Sequence, residues 1–156
     1  MANTFHQLYA HIVFAVKNRQ ALIPKNHKEE LHRYITGIVK ERDQKLLAIG
    51  SMPDHVHLLV NFKPTCTLSN LVMDVKTYSS HFISQKQWTP FRFAWQDGYG
   101  IFTNSNSEIE KVIDYILNQE EHHQTLTFES EYRAVLRRYA IPFDEKYLFD
   151  WHPDAR

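Results

Sequence analysis

Hydrophobic and polar positions along the chain mark out its elements. Residues 4–16 (TFHQLYAHIVFAV) are rich in aromatic and β-branched side chains and predict a long first strand. A turn with Lys17, Asn18 and Arg19 follows, and Pro24 suits the first turn of a helix. In that helix Leu31, Tyr34, Ile35, Ile38 and Val39 recur at the spacing of one helical face. A short strand over Lys45–Ser51 leads through the turn Met52-Pro53-Asp54 to a strand at His55–Phe62. Thr67 or Ser69 can cap a second helix striped by Leu68, Leu71, Val72, Val75, Phe82 and Ile83. Two short strand-like pieces, Phe91–Trp95 and Tyr99–Thr103, flank the turn Gln96-Asp97-Gly98. Ser107-Glu108-Ile109-Glu110 fits a capping box, so a third helix is expected from there to about Glu121. A further helical stretch is expected near Glu129–Tyr139.

The order β-α-β-β-α-β, then a further strand and helix, is that of an α+β ferredoxin-like sandwich. It implies one antiparallel sheet with both main helices on one face. At 156 residues the chain suits a single domain, and its 43% hydrophobic content excludes a disordered chain. No apolar run approaches the roughly 18–20 residues that span a bilayer, so no membrane association is expected. The lone Cys66 excludes a disulfide framework or a multi-Cys zinc site and points to a cytoplasmic protein. With four glycines and neither phosphate-loop motif, nucleotide-driven chemistry is not expected. Equal numbers of basic and acidic residues argue against nucleic acid only until they are placed. Residues 1–92 carry 12 Lys/Arg and 6 Asp/Glu; residues 93–156 carry 6 and 12. A basic portion joined to an acidic one is compatible with a polyanion-binding face.

The candidate chemistry lies on the strand HVHLLVNF. Alternation sends Val56, Leu58, Val60 and Phe62 to the helices and His55, His57, Leu59 and Asn61 to the opposite, open face. The two imidazoles are then about 7 Å apart at Cβ and can converge on one divalent ion, or can be two solvated histidines. In the third helix Tyr115 and Gln119 fall one turn apart at one edge of the apolar stripe of Ile109, Val112, Ile113, Ile116 and Leu117.

MPDHVHLLV, followed about sixty residues later by YILNQEEHH, resembles the single-tyrosine transposases of the insertion sequence 200/605 family. These belong to the superfamily named for its histidine–hydrophobe–histidine motif. HIVFAVKNR and WQDGYGIFT extend the resemblance over about residues 5–123, leaving residues 124–156 as a C-terminal tail packed on the domain or a dimer. The resemblance implies that His55, His57 and Gln119 bind Mg²⁺ or Mn²⁺. It makes Tyr115 the nucleophile that forms a 5′-phosphotyrosine and frees a 3′-OH, without a nucleotide cofactor. Its partners would be single-stranded DNA hairpin ends of a mobile element and a second copy of the chain. An exchanged tyrosine helix would set an acidic half against the partner's basic half. Lys17, Arg19 and Lys76 are expected DNA contacts, and Asp54 and His122 possible accessory residues. The rival readings are a domesticated nickase acting on repeated palindromes and a catalytically inactive ferredoxin-like nucleic-acid binder.

Overall fold

The computed structural model describes residues 3–17 and 22–148. Four strands, β1 (Tyr9–Ala15), β2 (Lys45–Met52), β3 (His55–Asn61) and β4 (Gly100–Thr103), form one sheet in the order β2-β3-β1-β4. Every pairing is antiparallel. With α1 (Lys28–Glu41) and α2 (Leu68–Gln85) as crossovers, this is the ferredoxin-like arrangement that the pattern predicts. Val56, Leu58 and Val60 of β3, with Ile12 and Phe14 of β1, pack against Leu31, Ile35 and Val39 of α1 and Val72 and Val75 of α2. Each such side chain contributes about 1.5–3 kcal/mol through removal from water.

The second face of the sheet is covered rather than open. Ile109 and Ile116 of α3 (Ile109–Leu117) pack on Ala48 and Leu59. Phe128, Tyr132 and Leu136 of α5 (Phe128–Arg138) pack on Val13, Ala15 and Phe102. Between these helices lies the single turn α4 (Gln119–His122), and α6 (Glu145–Leu148) returns to α5 through Arg133 and Glu145. The approach of α3 is closest at Gly50, where an added Cβ would lie 2.0 Å from the Ile116 carbonyl oxygen.

Four expectations are corrected. The first strand starts at Tyr9, opposite the last β3 residue Asn61, and before it, among the described residues, only the Leu8 carbonyl is bonded across, accepting from the Phe62 amide at 3.0 Å. The strand expected at Phe91–Trp95 reduces to one bridge, Val16 to Trp95. Buried Ser79 and Gln96 hold that segment instead, Ser79 Oγ accepting from Trp95 Nε1 at 2.9 Å and Gln96 Oε1 from the Ala15 amide at 2.6 Å. The capping box does not form: Ser107 Oγ bonds Ser105 Oγ, and a 3₁₀ turn over Asn106–Glu108 precedes α3. The third helix breaks at Asn118 (φ −102°, ψ 30°), which separates α3 from α4.

Candidate active site

The alternation of β3 places His55 and His57 under α3 and α5, where both rings are fully buried. Their Nδ1 atoms are held from behind. Asp54 Oδ1 lies 2.7 Å from His55 Nδ1, and His11 Nε2 of β1 lies 2.9 Å from His57 Nδ1. Their Nε2 atoms converge in front. His55 Nε2 is 3.1 Å from Gln119 Oε1 and 3.5 Å from Glu131 Oε1, and His57 Nε2 is 2.9 Å from the same carboxylate oxygen. The ligand atoms of His55, His57 and Glu131 all lie within 4.8 Å of one another.

The proton pattern favours a cation at this point. A carboxylate only accepts, so His55 Nδ1 carries the hydrogen toward Asp54. Gln119 Nε2 donates to the Tyr115 carbonyl at 3.2 Å, which turns Oε1 toward His55. Two acceptors therefore oppose each other at 3.1 Å unless a proton or metal ion lies between them. Two imidazole nitrogens, an amide oxygen and a carboxylate oxygen, with both Nδ1 atoms fixed from behind, fit a divalent ion.

Tyr115 and Glu131 meet beside this cluster. The Tyr115 hydroxyl donates to Glu131 Oε2, and His123 Nε2 lies 3.2 Å from the same oxygen. Burial first, then the charge and hydrogen bond of Glu131, push the phenol well above its ordinary value near 10. For Glu131, burial would raise the carboxyl, but hydrogen bonds from His123, His57 and Tyr115 outweigh it. They hold it well below the usual carboxylate range. The pair is thus a protonated phenol bonded to a carboxylate, and the charge on Glu131 opposes loss of the phenol's proton.

The structure brings together His55, His57, Tyr115 and Gln119, with Asp54 behind His55. The His122 ring lies tilted against the Tyr115 ring with centroids 4.7 Å apart and is not among the grouped ligand residues, while its neighbour His123 reaches Glu131. Lys17 pairs with Asp97 at 3.7 Å. Arg19 lies outside the described residues. Lys76 donates to the Gln96 and Gly98 carbonyls at 2.8 and 2.6 Å, which ties its ammonium to a turn of its own chain. Sequence reasoning missed Glu131, His123 and His11 as site residues. The available signal was Glu131 itself, a carboxylate on the same helical face as Phe128, Val135 and Leu136.

Comparison with known proteins places these features. A family model described as "Transposase IS200 like" matches residues 4–119. The ISDra2 transposase TnpA of Deinococcus radiodurans is 26% identical over 117 residues, covering 70% of this chain and 84% of that protein. A crystal structure from the same organism, assigned as a transposase, has a TM-score of 0.58 at 24% identity and covers 76% of this chain and 95% of that one. A REP-associated tyrosine transposase bound to a REP hairpin has a TM-score of 0.59 at 18% identity and covers 100% of this chain and 94% of that one. At these identities the two structures share the fold.

Proposed function

The chain belongs to the IS200-like transposase family, and on that premise we propose that it cleaves and rejoins single-stranded DNA at the hairpin-bearing ends of a mobile element. The observation that carries this reading is the meeting of Tyr115 with the His55–His57–Glu131 cluster through one carboxylate. Tyr115 Oη attacks the scissile phosphorus, forming a Tyr–O–P bond as the bond to the 3′-oxygen breaks. The resulting 5′-phosphotyrosine keeps the energy of the phosphodiester, so a 3′-OH restores the strand without ATP. Glu131 Oε2 accepts the phenol's hydrogen bond and orients the hydroxyl, and in the balance of the reaction the phenol's proton is regained by the departing 3′-oxygen as a 3′-OH. His55, His57, Gln119 and Glu131 Oε1 would hold Mg²⁺ or Mn²⁺, which supplies Lewis-acid stabilisation of the phosphate and counters the carboxylate charge. Asp54 and His11 orient the imidazoles. On this reading residues 1–123 are the transposase domain and residues 124–156 a tail that packs on it and supplies Glu131. A homodimer is part of the proposal.

A second reading, a host-retained enzyme that processes repeated palindromes, draws on the whole-chain likeness to the REP-associated transposase. It uses the same site, and palindromes flanking the gene would distinguish the two. A silent binder has no use for four convergent ligand atoms beside a tyrosine. The test is incubation with labelled single-stranded hairpin DNA and Mn²⁺. A covalent protein–DNA adduct lost in Tyr115→Phe is expected, and binding without adduct overturns the reading.

A further inference from the structure

Beside Tyr115, α3 and α5 part to leave a cavity of about 420 Å³, a size typical of small-ligand sites. Tyr115 and Glu131 are among its walls, so it opens onto the reacting group. Val112, Leu126 and Val135 make it largely apolar, and the Tyr139 ring adds a flat surface. Asn104, from the loop after β4, supplies its least satisfied polar group. Asn104 Oδ1 accepts from the Tyr139 hydroxyl at 3.0 Å, while Nδ2 is buried with no partner among the described residues. Flipping the amide leaves the oxygen bare instead, so either way one end awaits a ligand. Lys111, one helical turn before Tyr115, and the exposed Arg138 also line the cavity. The ion pair of Lys111 with Glu108 is exposed and long, at 3.8 Å, and leaves the ammonium available to a phosphate.

Apolar walls, a bare amide and two cations match the three parts of a nucleotide: base face, base edge and phosphate. We propose that this cavity seats the nucleotide next to the scissile phosphate. Its base lies against Val135 and Tyr139 and is read by Asn104, while Lys111 and Arg138 hold its backbone. The inference rests on the transposase reading, which makes Tyr115 the attacking group. It adds a protein pocket that selects one base at the cleavage point.

The experiment uses the full chain, Mn²⁺ and a pool of single-stranded hairpin oligonucleotides with randomised flanks, with adducts captured and sequenced. Wild type is expected to prefer one base at one position beside the cut, and Asn104→Leu to flatten that preference alone by about tenfold, the worth of one hydrogen bond. Val135→Trp, which fills the cavity, is expected to lower adduct yield at least tenfold on every sequence while hairpin affinity stays as in wild type. A second readout does not need cleavage. In Tyr115→Phe, 2-aminopurine at the preferred position is expected to change fluorescence on binding, and to lose that change when Val135→Trp is added. Wild-type base preference and yield in both Asn104→Leu and Val135→Trp would overturn the pocket while leaving the transposase reading intact. No adduct from wild type with any member of the pool would overturn both.

Discussion

Glu131 is the residue on which the site turns. One oxygen faces both imidazole Nε2 atoms and the other takes the Tyr115 hydroxyl and His123. Glu131→Ala removes an acceptor from one buried and two part-buried donors at once and is expected to lower stability by about 3 kcal/mol. Glu131→Gln keeps the shape and folds, but loses the anionic ligand. Its adduct yield is expected to fall about 100-fold at low Mn²⁺ and to recover partly as Mn²⁺ is raised, which a metal titration checks. Recovery without added metal would show that the carboxylate is not a ligand. Two other histidines give the metal-free protein an acid limb. Burial, then His57, lowers His11 to about 3; burial, then Lys28, lowers His32 to about 4. Both folded values lie below the unfolded value of about 6.5, so the unfolded chain binds protons that the native one refuses. The stability they contribute is complete above pH 6.5 and is lost as pH falls toward 4 and 3. Between pH 7 and 5 denaturant melts are expected to lose about 2 kcal/mol per histidine, and His32→Gln to lose correspondingly less.

At the scale of elements, Gly50 decides how α3 lies. A methyl group there would overlap the Ile116 carbonyl, and a backbone atom cannot swing aside as a side chain can. Gly50→Ala is expected to cost about 1–3 kcal/mol and to leave a folded protein with its tyrosine helix displaced. Because about 1 Å of misplacement can cost 100-fold, adduct formation in the folded variant is expected to fall far more than its melting curve suggests. Circular dichroism beside the adduct assay separates the two effects. The same element shows why some features were legible and others not. The alternation along β3 depends only on the pleat, so the sorting of Val56, Leu58 and Val60 from His55 and His57 could be read from spacing. The four-residue interval from Tyr115 to Gln119 was readable for the same reason, and survives the break at Asn118. That break leaves no mark in the spacing. Closure of the histidine face depends on α5, whose four buried positions are interleaved with charged residues of both signs. Glu131, sixteen residues after Tyr115, is brought in by tertiary packing rather than by any local period. The end of α5 also lacks its usual signal, since Ala140 takes the left-handed position (φ 54°) that glycine commonly fills.

For the whole molecule, the opposed charges of the two portions meet within one chain. Glu120 of α4 lies 3.4 Å from Lys28 and 3.8 Å from Lys25, and these lysines hold its carboxyl below the ordinary range. The contact fastens the turn that carries Gln119 to the basic portion. Flanking connections add a stronger constraint. Residues 104–108 join β4 to α3, and at about 3.3–3.6 Å per residue they span less than 20 Å. After α3 the chain passes through α4 to α5, which packs on β1 and β4 of the same sheet. An exchanged α3 would have to take α5 with it or unpack it, and would have to rebuild the Gly50 contact on the partner. A dimer of this chain is therefore expected to hold two sites, each made by one protomer. Mixing Tyr115→Phe with His57→Asn tests this, because each variant lacks a part that the other retains. With sites made in one chain, the mixture stays as inactive as either variant alone. With exchanged helices, half of a randomly mixed population would be heterodimers with one intact site each, and about a quarter of wild-type adduct would return. Such recovery would show that α3 crosses between protomers in the active enzyme and that the contacts of Gly50 and Glu120 are made in trans.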